Sequence, residues 1–285
     1  MGTDPSPNEI GASLPIDPDT PVRPLHLQFS AISLVFAGGI VGTGLRYLVE
    51  ELFPAHGVAW PWATFGVNLA GAFVLGALLE ILVLSGDDAG RRRRLRLCIG
   101  TGFCGSLTTY STFALETAQI GHHGATGTAV AYAVVSVVAG LGVRVGGHRR
   151  GWAGTPPVDG RGVVIAVAVI LAGALGAVCR FVVDGAVKGL RASTFPWGTF
   201  VINVSGSLLL GILAGLVISH GMPSSVQAVV GTGFCGGYTT FSTASFETIR
   251  LAQGRQAVLS ALNAIGSLVC SVGACALGLV LAWAI

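Results

Sequence analysis

Charge is what this sequence has least of. Only 10% of its 285 residues are Asp, Glu, Lys or Arg, while 52% are hydrophobic. A soluble globular chain carries about 25% charged residues. So few charges exclude a soluble domain and imply an integral membrane protein, multi-pass in the lipid bilayer of a cell membrane. A net charge of +3 gives no footing for nucleic acid, and no such partner is expected. The six cysteines, Cys98, Cys104, Cys179, Cys235, Cys270 and Cys275, lie in apolar segments without metal-ligand spacing, which excludes a zinc site and a disulfide framework. No nucleophile–base pair appears, so an enzyme is not expected. Residues 1–28 are polar and proline-rich and lack a signal-peptide core, which reads as a disordered tail.

Glycine, by contrast, is abundant at 43 residues, which suits close helix packing in lipid. A spanning helix needs about 20 mostly apolar residues. Four such segments fall at roughly 29–49, 61–85, 96–119 and 125–145, and four more at roughly 163–187, 197–219, 226–249 and 257–284. The fold class is therefore all-α, with eight transmembrane helices in two repeats, 29–145 and 163–285, joined by a polar linker at 146–162. The repeats align motif by motif. "GGIVGTGLRY" from Gly38 matches "AGALGAVCRF" from Ala172, and "PWATFGVNLAG" from Pro61 matches "PWGTFVINVSG" from Pro196. "GTGFCGSLTTYSTF" from Gly100 matches "GTGFCGGYTTFSTA" from Gly231. Such duplications are frequent in membrane transport proteins.

Positive charge marks cytoplasmic loops. In the first repeat it lies between the second and third helices, at Arg91, Arg92, Arg93, Arg94 and Arg96. In the second it lies on either side of that pair, at Lys188, Arg191, Arg250 and Arg255. The charges thus favour opposite orientations. Four helices return a chain to its starting side, however, and the linker is too polar to be a ninth. Either one repeat disobeys its bias, or antiparallel pairing forms between two chains, or the linker threads a shielded route.

Hydroxyl and amide side chains concentrate in the third helices (Thr108, Thr109, Ser111, Thr112; Thr239, Thr240, Ser242, Thr243), with Asn68 and Asn203 in the second. Donors without matching acids resemble the lining of an anion path, since they replace an anion's water without trapping it. The glycines should break the third helices and free backbone carbonyls, for which a small cation is one partner and a Thr hydroxyl or water another. Arg46 and Arg180, near the ends of the first helices, are either snorkelling interfacial residues or fixed charges that concentrate anions. Glu116 and Glu247 read as helix-end residues. A proton-coupled small dual-topology exporter is the alternative function, but it wants a carboxylate mid-helix in both repeats and none is read there.

The third-helix motifs, the G-x-x-G-x-x-x-R-[YF] pattern of the first helices, Asn68 and Asn203, and the Tyr132/Ser136 and Asn263/Ser267 spacing together resemble the Fluc (CrcB) family of fluoride channels, in tandem-fused form. That resemblance implies passive export of fluoride ion through two pores between antiparallel four-helix units, paired within one chain or between two. It implies a structural, central sodium ion (Na+) held by the carbonyls of Gly105, Thr108, Gly236 and Thr239. It implies pore residues Asn68, Tyr110, Ser111, Thr112, Phe113, Ser136, Asn203, Phe241, Ser242, Thr243 and Ser267, with Arg46 and Arg180 at the vestibules, in the plasma membrane of a bacterium. The family's paired phenylalanines fall at Tyr110 and Phe113 and at Phe241 and Ala244. Combined across repeats, Phe113 and Phe241 complete one pore, and Tyr110 and Ala244 line the other. One pore is then expected to conduct and the other to be impaired, with Tyr110→Ile leaving efflux nearly intact.

Overall fold

The computed structural model describes residues 23–55, 57–142, 160–190 and 193–285. The linker expected at 146–162 therefore lies outside the described residues up to 159, as does the tail up to 22. The end of that tail is ordered. Leu25–Leu27 form a 3-10 turn, and Leu25 packs on a cluster of Ala31, Val35, Leu97 and Ala177.

All described secondary structure is helical. In the first half, α1 is Phe29–Leu52 and α2 is Trp62–Leu84. Helix α3 covers 90–107, as Gly90–Leu95, a π-helical stretch Arg96–Cys104 and Gly105–Leu107, and α4 is Tyr110–His122 and α5 Thr126–Gly142. The second half repeats this order: α6 Gly160–Leu190, α7 Trp197–His220, α8 over 224–238 with its own π-helical stretch Gln227–Cys235, α9 Phe241–Gln253 and α10 Ala257–Trp283. Of the eight expected spans, five helices (α1, α2, α6, α7 and α10) are long and apolar enough by themselves to cross a bilayer. Helix α5 is apolar but has only 17 residues. The third segment of each half is divided into two helices.

The division does not fall at the glycines. Thr108 (φ −94, ψ 149) and Thr109 (φ −139, ψ 130) are extended, as are Thr239 (φ −84, ψ 163) and Thr240 (φ −152, ψ 128). The motif glycines stay helical with negative φ. Their task is close approach. A Cβ on Gly102 would meet the Val35 carbonyl oxygen at 2.7 Å, and one on Gly233 would meet that of Val169 at 2.8 Å. The second threonine of each pair restarts the helix as its N-cap, Thr109 Oγ1 accepting from Thr112 N at 3.2 Å and Thr240 Oγ1 from Thr243 N at 3.3 Å.

Helices α1 and α6 are the first of their halves, and they run antiparallel. Gly39 lies against Ala174 and Ala177, Thr43 against Gly173, and Gly44 against Ile170, so the partner number falls as the residue number rises. Exchanging the halves maps this crossing onto itself. At this crossing the two first helices are related by a pseudo-two-fold axis, in line with the opposite charge biases.

The outer helices of the second half pack closely on their glycines. Gly211 and Gly215 of α7 pack against Cys275, Leu279 and Ala282 of α10, and Gly278 of α10 against Leu208 and Ile212. At Gly76 of α2, which matches Gly211, a Cβ would find nothing within 4 Å among the described residues; Arg144, which matches Cys275, lies outside them.

Candidate functional site

The two breaks meet at the centre and cap each other. Thr239 Oγ1 accepts from the first backbone N–H groups of α4, Tyr110 N at 3.2 Å and Ser111 N at 3.1 Å, and lies 3.0 Å from Ser111 Oγ. Thr108 Oγ1 accepts reciprocally from Ser242 N at 3.2 Å and lies 2.9 Å from Ser242 Oγ. Each hydroxyl also donates back to its own helix, Thr239 to the Cys235 carbonyl at 2.9 Å and Thr108 to that of Cys104 at 3.1 Å. A helix N-terminus leaves its first N–H groups without internal partners. Here a side chain from the opposite repeat supplies one, so the threonines and Ser111 and Ser242 are engaged in joining the halves.

Asn68 and Asn203 complete the breaks. Asn68 Nδ2 donates to the Thr109 carbonyl at 3.0 Å and Oδ1 accepts from Thr109 N at 2.8 Å. Asn203 does the same for Thr240 at 3.0 and 2.9 Å.

Beside this knot the aromatic residues collect. Phe113 and Phe241 are fully buried, with ring centroids 5.8 Å apart at 77°. Tyr132 meets Phe113 edge-on at 5.2 Å. Tyr110 lies 5.5 Å from Phe113 and 5.8 Å from Phe241, so it abuts the phenylalanine pair as well as sharing a cluster with Ala244. Tyr110, expected to line the other pore with Ala244, thus touches both groups. Ser136 lies one helical turn from both Tyr132 and Gly140, on the face where Gly140 touches Phe241. Ser136 Oγ is buried without a hydrogen-bond partner, and so is Ser267 Oγ in the equivalent position of α10.

The arginines do not snorkel. Arg46 is 0% exposed and Arg180 5%. Arg46 Nε donates to the Ser106 carbonyl at 3.0 Å and Nη2 to that of Thr232 at 2.7 Å. Arg180 Nη1 donates to Gly105 O at 2.7 Å and Thr239 O at 3.4 Å, and Nη2 to Thr101 O at 2.5 Å. Arg180 also lines a cavity of about 540 Å³ that reaches Thr240, Thr243 and Glu247. In the other half, Leu115, Leu210 and Ala214, which match the cavity-lining Phe246, Leu75 and Leu79, belong to a buried apolar cluster.

These bonds bear on the expected sodium site. Two of its four carbonyls, those of Gly105 and Thr239, accept from one guanidinium nitrogen, which sits between them with its own positive charge. In this arrangement the residues do not fit a metal ion.

Glu116, read as a helix-end residue, lies nearly two turns inside the end of α4. Thr64 donates to its Oε1 and Tyr132 to its Oε2, both at 2.7 Å. Glu247 is its equivalent in α9 and hydrogen-bonds Thr199. Both halves therefore hold a carboxylate mid-helix, in α4 and α9, contrary to the reading that none does. The signal was present in the aligned "YSTFALETA" and "FSTASFETI".

With the geometry in view, comparison with known proteins gives a direct result. A family described as CrcB-like protein, Camphor Resistance (CrcB), matches residues 33–148 and again 167–279. The chain belongs to the CrcB-like family. Among its relatives are proteins named fluoride-specific ion channel, a transport name and not an enzyme's. One from Leifsonia xyli is 48% identical over 116 residues, covering 41% of this chain and 85% of the relative. One from Cutibacterium acnes is 46% identical over 109 residues, covering 38% and 76%, and one from Mycobacterium tuberculosis is 45% identical over 116, covering 41% and 89%. Each relative corresponds to about one half of this CrcB-like chain. No solved structure matches it.

Proposed function

We propose that this chain is a fluoride channel that lets the ion leave the cell passively, and that the route beside Phe113, Phe241 and Ser136 conducts. The observation that carries the reading is a buried, unpartnered hydroxyl, Ser136 Oγ, on the helix face between two aromatic residues that touch the phenylalanine pair. Ring edges are electropositive. Edges and a free donor offer a small anion replacement for its water, and no fixed cation traps it there. On the other route Ala244 and Asn263 replace Phe113 and Tyr132, and α7 and α10 close on their glycines. The single chain acts as its own antiparallel pair.

Fluoride efflux from liposomes, followed with a fluoride electrode, tests this. Phe113→Ile, Phe241→Ile and Ser136→Ala should slow efflux, the first two at least tenfold, while Tyr110→Phe and Ser267→Ala leave it near wild type. Equal loss from Ser136→Ala and Ser267→Ala sinks the one-route reading. The paired Glu116 and Glu247 keep a proton-coupled exporter in play as the second reading. Efflux that follows an imposed pH gradient would select it over the channel.

A further inference from the structure

We infer that Arg46 and Arg180 supply the positive charge at the two helix breaks, so that the chain carries its own cation where a metal ion would sit. The carbonyls concerned are made available by the bonds already described. A helical carbonyl bonds the N–H four residues on. Thr109 N and Thr240 N go instead to Asn68 and Asn203, which releases the carbonyls of Gly105 and Gly236. Tyr110 N goes to Thr239 Oγ1, which releases that of Ser106. Buried carbonyls require partners.

The guanidinium groups provide them for Gly105 and Ser106, and each bridges the halves. Arg180, from the second half, holds Gly105 O and Thr101 O of the first together with Thr239 O of its own. Arg46, from the first half, holds Thr232 O of the second together with Ser106 O of its own. Thr101 and Thr232 are equivalent residues of the two motifs, so this one contact of each arginine obeys the pseudo-symmetry. The sequence also makes room for it. A Cβ on Gly105 would overlap the Arg180 guanidinium, and one on Gly236 that of Arg46. Guanidinium suits the position because it is permanently charged and offers five donors in a planar fork, enough for several carbonyls at once. Unlike a bound ion it cannot be washed out.

The test is thermal unfolding of the purified full-length chain in detergent, in sodium chloride against choline chloride at equal ionic strength. The wild-type midpoint is expected to be the same in both. A midpoint that rises with sodium overturns the proposal. Arg180→Gln removes the charge and leaves the carbonyls, so its midpoint should fall in choline and recover on adding sodium. Arg180→Lys keeps the charge but loses the fork, and its lowered midpoint should be indifferent to sodium. An Arg180→Gln midpoint that ignores sodium also overturns the proposal. Should Arg180→Gln fail to fold, the wild-type and Arg180→Lys arms still decide. None of these readouts depends on transport, so this inference and the fluoride reading fail separately.

Discussion

Asn68 and Asn203 each stand in for the helical bonds lost at a break, one amide pairing both backbone groups of the following threonine. Removing either amide leaves a buried N–H and a buried C=O without partners, at about 1–3 kcal/mol for each group. Asn68→Ala and Asn203→Ala should therefore lower the unfolding midpoint by similar, large amounts. Ser33→Ala, which deletes an exposed hydroxyl bonded within its own helix, should not. A neutral Asn68→Ala in thermal unfolding refutes this role. The sequence singled out both asparagines but only as anion donors, because composition and spacing report polarity and not its partner. The same limit hid the threonine hydroxyls' role. Thr108 and Thr239 are adjacent to nothing in sequence that would reveal a bond to the opposite repeat.

Helix boundaries were largely legible, since apolar length fixes them. The expected 197–219 and 257–284 differ by a residue from Trp197–His220 and Ala257–Trp283. The cause of the break was not legible. Glycine is the obvious suspect for a weakened helix, yet here it serves approach, and extended threonines divide the segment. The two outer helix pairs make this contrast measurable. Gly76 of α2 and Gly211 of α7 are equivalent positions, but a Cβ at the first meets nothing within 4 Å among the described residues and at the second strikes the Cys275 carbonyl. Gly76→Ala should be neutral or stabilising, by up to about 1 kcal/mol of helix propensity. Gly211→Ala should destabilise markedly and loosen α7 from α10. Matching effects of the two substitutions on the unfolding midpoint argue against the asymmetry.

At the scale of the whole molecule, the duplication and the opposite charge biases were visible in the sequence, and the choice between one chain and two was not. It depends on how 143–159 travels, which lies outside the described residues. The antiparallel crossing of α1 and α6 predicts that single cysteines placed in the 86–89 and 221–223 loops, on a cysteine-free background, react with impermeant reagents from opposite sides of the membrane. Labelling from the same side means the halves are not inverted. Replacing the native cysteines should be tolerated, because all six are free thiols.

The unequal halves carry one further consequence. Two identical units related by a two-fold axis in the membrane plane must pass current equally in either direction, because turning the assembly over changes nothing. That constraint lapses when the halves differ, as Phe113 and Tyr132 differ from the equivalent Ala244 and Asn263. A fused, lopsided pair is free to rectify. Its current–voltage curve in oriented bilayers should bend where that of a symmetric pair cannot.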